Sequence, residues 1–450
     1  MGDVGGQRKK KGGRVTPKGH SGRLSTAERA SLEDMFARLL RSAPRDLSDD
    51  IPPLVVEMWA SQMWSVWAGS ELIGMDAVEV FGGGMIDYAA RRATPAALMV
   101  LRALSTVAPD PYGSRARLQA ERLAAKGIPE RSWASVLGTE RPTTAWLSFD
   151  PIDDDGVSVM VGFDGPGHQT TIGVYVDYNL GGIAKDVFAV PAGIAEVLAE
   201  LRQNHNDPED PEYKEISLQE AATRWGVALE MTERTFDPPT TEDLDHLRAL
   251  VLARLATLPA RGHVAEAPTL NDEERDELLA EFLESDEVIG LMGIEDEDNE
   301  NMTVEQLADQ LLIFSLDYTL GTPLRFSPVM VEIFCLDWAP RKIALGGDAF
   351  TLLPDVLAAW IRFVGRRRAI PEHSIRASVD ATYEFAPEMI ELSQDPEAWG
   401  PAKTMALALQ QRGIDMSDQA ALNDFVDEVN RSGGIDVLAD SLVESIAPRR

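Results

Sequence analysis

The chain has 450 residues, 44% of them hydrophobic, one cysteine and a formal net charge of -32. That length exceeds what a single compact core organises and predicts two or three domains. Cys335 alone excludes an intrachain disulfide and any cage of two or more thiolates, so a disulfide-stapled secreted fold and a zinc finger are both ruled out.

The opening segment, MGDVGGQRKKKGGRVTPKGHSGR, carries Arg8, Lys9, Lys10, Lys11, Arg14, Lys18 and Arg23 against Asp3 alone. Its local balance is about +6, which leaves about -38 on the remainder. With almost no apolar side chains, it has nothing to bury against the entropy of ordering, so residues 1–24 read as a disordered basic arm. It lacks the apolar stretch of a signal peptide, and no later window reaches the roughly 20 apolar residues that span a bilayer. A cytoplasmic location without membrane contact is the expectation. An acidic body repels polyanions as a whole, so contact with nucleic acid falls to the arm, through phosphates and without base stacking.

Residues 25–140 read as a helical N-terminal region. Ser25 or Thr26 caps a helix with Leu32, Met35, Phe36, Leu39 and Leu40 at helical spacing. The next helix places Val55, Trp59, Met63, Val66 and Trp67 on one stripe, a pattern expected of core. Further helices follow, one capped by Thr94 and one ending at Gly127.

The pattern then switches to period two. TTAWLSFD, GVSVMVGFD, QTTIGVYVDYN and GIAKDVFAV are β-rich runs separated by turn chemistry, which predicts a four-stranded antiparallel meander. Val174 and Val176 face one side and Tyr175 and Asp177 the other, so one face is expected dry and one wet. A helix from Pro191 is the expected cover for the dry face. With NDPEDPEYKE read as a loop, residues 141–260 form a sheet with covering helices. Residues 259–272 change composition and mark a boundary. Residues 273–450 read as a helical C-terminal domain, with a capping box at Thr303 and Gln306 and a cap at Ser417. The fold class is therefore α+β, predominantly helical: a small four-stranded antiparallel sheet packed by helices, plus an all-helical C-terminal domain.

Chemistry is sparse. The P-loop, Gly-x-Gly-x-x-Gly, Gly-x-Ser-x-Gly and His-Glu-x-x-His signatures are absent, and no motif implies a cofactor. The hairpins bring Asp150, Asp153, Asp154, Asp155, Asp164 and His168 into consecutive turns, where oxygen-rich loops can hold a hard cation. Asp and Gly also dominate such turns for conformational reasons. Asp164, His168 and Asp177 are the candidate metal set. Asp177, Lys185 and Asp186 invite a nuclease reading, but the usual acidic residue two before the lysine is Ile183. SLQEAATRWGVALEMTERTF resembles a helix-turn-helix with its turn at Gly226 and Val227; however, the second helix offers Glu230 and Glu233 with Arg234 as its only base, the wrong sign for a groove. Packing of two short helices is the simpler reading. The stretch IEDEDNEN lacks the mid-loop glycine of a calcium loop and reads as solvated linker. Arg366, Arg367 and Arg368 complement a helix C-terminus, and Cys335 reads as a buried small hydrophobe.

Two functions compete. The first is a non-enzymatic cytoplasmic interaction protein, its acidic body engaging a protein partner and its arm contacting nucleic acid or another polyanion. The second is a metal-dependent hydrolase on the 143–190 sheet.

Overall fold

The computed structural model describes residues 24–69, 76–203, 210–263, 269–291, 304–322, 324–344, 349–414 and 419–432. The basic arm, IEDEDNEN, Thr303 and Ser417 lie outside these residues. What is described is mostly helical with one antiparallel sheet. The chain forms two compact units, Met1–Thr139 with Asp245–Arg254, and Glu140–Leu244 with Leu255–Arg450. Among the described residues no helix is long and apolar enough to cross a membrane.

The first unit contains helices α1 (Thr26–Asp46), α2 (Pro53–Ala68), α3 (Gly84–Arg92), α4 (Pro95–Val107) and α5 (Tyr112–Ala124). Ser25 closes a capping box with Glu28 at the head of α1, and Thr94 accepts from the Ala97 amide at the head of α4. After α5, Gly127 turns left-handed and the Ile128 amide bonds back to the Leu123 carbonyl, as a helix stop requires.

The stripe expected on α2 is misplaced by part of a turn. Val55 and Val66 are exposed, while Leu54, Val56, Glu57, Ala60, Ser61, Trp64 and Trp67 are buried. The inward face carries a carboxylate because Arg254 reaches Glu57, an ion pair at 3% and 0% side-chain exposure. The Gly138 amide also donates to Glu57. A buried charge is tolerable only with such partners, and here one comes from 197 positions away.

In the second unit, strands β1 (Arg141–Phe149), β2 (Gly156–Gly165), β3 (His168–Asp177) and β4 (Ile183–Val190) form the expected meander. A fifth strand, β5 (Glu212–Ile216), pairs antiparallel with β1 and gives the order β4-β3-β2-β1-β5. The sheet therefore has five strands rather than four. EYKEI hides its strand character because an edge strand exposes its charged residues, which protects the edge from further pairing.

The cover also differs from expectation. Helix α6 (Ile194–Gln203) starts three residues beyond Pro191 and lies over the other face, where Arg202 stacks on the Trp146 and Tyr213 rings. The valine-rich face, with Val159, Val161, Ile172 and Val174 fully buried, is covered by helix α7 (Leu218–Arg234). Trp225 of α7 is buried and donates its indole N–H to the Val159 carbonyl at 2.9 Å. Leu218–Arg234 is one continuous helix, not two short ones. Gly226 lies inside it, where a Cβ would stand 2.1 Å from the Arg261 guanidinium, so the glycine serves as a bed for that side chain rather than as a turn.

Helix α8 (Glu242–Leu255) follows, with Leu244, Leu247 and Val251 buried. Beyond it come α9 (Asp272–Leu283), α10 (Val304–Asp317), α11 (Pro328–Ile333), α12 (Ala339–Lys342), α13 (Ala349–Arg367), α14 (Glu372–Gln394), α15 (Pro401–Gln411) and α16 (Gln419–Ser432). Their core gathers Phe282, Phe314, Phe334, Trp338 and Trp360. Cys335 is part of it, and burial pushes its thiol up to about 12, leaving it without nucleophilic character at neutral pH.

Candidate functional site

In an antiparallel meander alternate turns fall at the same end of the sheet. The β1–β2 turn and the β3–β4 turn therefore meet, and Gly156 pairs with Asp177 across the strands beside them. Each turn is shaped by its own aspartate. Asp150 accepts from the Ile152 and Asp153 amides at 2.7 and 3.1 Å, and Asp177 accepts from the Asn179 and Leu180 amides at 2.9 and 3.3 Å. The Tyr178 amide bonds to the Asp155 carbonyl, and the Tyr178 carbonyl accepts from the Leu320 amide, which with the bonds of Thr322, Arg325 and Ser327 draws these residues onto both turns.

Around this junction the carboxylates are paired. Asp155 Oδ1 accepts from Ser327 Oγ at 2.5 Å, Asn179 Nδ2 at 2.8 Å and Arg325 Nη1 at 3.0 Å. Asp154 Oδ2 accepts from both the amide and the hydroxyl of Thr322. Asp177 Oδ2 accepts from Lys185 Nζ at 2.7 Å. Arg325 is fully buried; its Nη2 and Asn179 Oδ1 have no protein partner among the described residues. Desolvation pushes the guanidinium of Arg325 below its ordinary value, although Asp155, Asp154 and Asp177 oppose that trend.

Desolvation also raises Asp155, against the bonds from Ser327 and Asn179 that favour its charged form. Asp153 has no comparable set of donors. Burial, then the negative charges of Asp155 and Asp150, push it up to about 6, with Arg368 and Arg325 only partly compensating. Tyr175 and Tyr178 are both raised, chiefly by desolvation.

The residues read as a metal set do not gather. His168 begins β3 and Asp177 ends it, nine residues apart. At about 3.4 Å per residue that is on the order of 30 Å. Asp164 and His168 belong to the β2–β3 turn at the opposite end, where Gln169 donates to Asp164 and His168 Nε2 lies 3.0 Å from Glu140 Oε1. Among the described residues no group of three or more His, Cys, Asp or Glu side chains is arranged to hold a metal ion. The Asp177–Lys185 pair of the nuclease reading does form, but Asp186 turns away to the Thr241 hydroxyl.

The arginine triplet is also taken up internally. Arg366 pairs with Glu287, Arg367 with Glu281, and Arg368 donates to the Ile152 carbonyl. The seven cations of the leader lie outside the described residues.

Beside the turn junction, between the sheet end, α7 and residues 320–322, opens a cleft of about 690 Å³. No local pattern in the sequence announces it, because its walls come from four separate stretches, within 154–182, 217–228, 262–263 and 320–322. The turn alternation, however, was available to show that Asp153–Asp155 and Asp177 share an end which Asp164 and His168 do not.

Comparison with known proteins finds no matching family model, no similar curated protein and no similar solved structure.

Proposed function

We propose that the chain is a non-enzymatic interaction protein of the cytoplasm, whose acidic body engages protein partners and whose basic leader contacts nucleic acid or another polyanion. The observation that carries this reading is the segregation of charge: seven cations and one anion within the first 23 residues of a chain whose total is -32. Clustered cationic side chains bind phosphates without needing a shaped surface, and the acidic remainder limits such contact to the leader. Supporting it, the polar groups that suggest a reaction centre are engaged with one another: Asp155 with Arg325, Asp177 with Lys185, Glu140 with His168. The hydrolase reading has less support, because Asp177 stands at the far end of β3 from Asp164 and His168.

The test is a salt titration of RNA and DNA binding, comparing the native chain with one in which Arg8, Lys9, Lys10, Lys11, Arg14, Lys18 and Arg23 are all replaced by Gln. The native chain is expected to bind with a log–log salt slope no steeper than about -6, and the variant to lose that binding. Equal binding by both, or none by either at low salt, refutes the role of the leader.

A further inference from the structure

The cleft in the second unit has a polarity gradient built into one helix face. Glu220, Thr223, Arg224, Val227 and Ala228 of α7 follow helical spacing along it, polar near the N-terminus and apolar further on. From Ser217 to Ala228 this wall runs about 16 Å at 1.5 Å per residue. The cleft is also lined by Val157 and Val176, a cross-strand pair at the end of the sheet, together with Leu320. The opposite wall is backbone brought in close by left-handed residues. Gly182 has φ +80° and a Cβ there would stand 2.4 Å from Leu320. Gly321 has φ +85° and packs against Asp154, which is itself left-handed at φ +52°. L-residues adopt this conformation at a cost, so the wall is shaped rather than filled.

The polar end retains hydrogen-bonding capacity. Arg224 directs Nε and Nη2 to Glu220 and Nη1 to the Tyr178 hydroxyl, which leaves two of its five N–H groups without a protein partner among the described residues. Asp154 receives Thr322 on Oδ2 alone. A ligand head placed there meets a donor and an acceptor together. It also meets charges of both signs, Arg224 with its bonded Glu220 on the α7 wall and Asp154 beside Gly321 on the other, so an ionised head of either sign faces a like charge while losing its water. The volume lies within the range of sites that enclose small molecules.

We propose that this cleft binds a neutral amphipathic small molecule, its apolar body between Val157, Val176, Val227 and Ala228 and its hydrogen-bonding head between Arg224 and Asp154. The assignment is independent of the leader and stands or falls separately from the polyanion reading. Three probes sharing one chain and differing in head test it: octanamide, octanoate and octylammonium, titrated against the full-length protein by displacement of the neutral dye Nile red. Octanamide is expected to displace the dye at a concentration about tenfold or more below either charged analogue. Val227→Trp, which fills the cleft from a partly exposed position, is expected to weaken octanamide by a similar factor with the thermal midpoint unchanged. If that variant does not fold, Gln219→Trp at the exposed mouth serves the same purpose. Absence of saturable displacement, equal displacement by all three heads, or full affinity in the folded variant overturns the proposal.

Discussion

Replacing Asp153 by asparagine is expected to stabilise the second unit at neutral pH while leaving it unchanged in acid. The carboxyl sits among Asp150 and Asp155 in the β1–β2 turn, and its proton is held up to about 6 against an ordinary 3.8. A tenfold change in proton affinity is worth about 1.4 kcal/mol, so ionising the group in place costs the fold up to about 3 kcal/mol. Because the residue is partly exposed, solvent screening lowers this to about 1–2 kcal/mol. The sign follows from proton counting. Between about pH 4 and 6 the folded protein holds a proton that the unfolded chain has released, so this group's contribution is full below pH 4 and is lost as the pH rises through 6. Asparagine keeps the shape and cannot ionise. Urea unfolding of both proteins at pH 3.5, 5 and 7.5 should show curves that coincide at the first and separate by about 1–2 kcal/mol at the last. A variant less stable than the parent at pH 7.5, or offset equally at all three, would refute the electrostatic reasoning.

Other consequences follow from groups buried elsewhere. Arg254→Met removes the guanidinium that neutralises Glu57 inside the first unit and should cost about 3–5 kcal/mol in urea unfolding; a cost below about 1 kcal/mol would mean that Glu57 is neutral or relieved by other partners. Lys403 is 2% exposed, donates to the Pro340 and Ser393 carbonyls, and is lowered by burial to about 8. The unfolded chain keeps that proton up to about 10.5, so the protein should gain stability relative to Lys403→Met as the pH rises from 8 to 10.5. A difference profile flat across that window would show that the ammonium titrates normally.

Local signals are legible in the sequence where the physics is local. Ser25 and Thr94 cap their helices because a short side-chain oxygen reaches the amides of the next turn, whatever lies further off. Period-two alternation with Asp- and Gly-rich turns defined four strands and their antiparallel order, and the single cysteine went where an apolar run placed it. The polar edge strand 212–216 escaped because its charged residues are what an exposed edge requires and what a loop also contains.

What tertiary structure alone decided is which charges meet. Asp155 finds Arg325 across 170 positions, and Glu57 finds Arg254 across 197. Coulomb attraction depends on separation in space, and a chain that doubles back through helices leaves no trace of that distance in its residue order. The same holds for the face of α2 that turns inward and for the choice of α7 over α6 as cover for the valine face. Amphipathic periodicity marks a stripe on a helix, but the neighbour it packs against is set by how all the elements share one core.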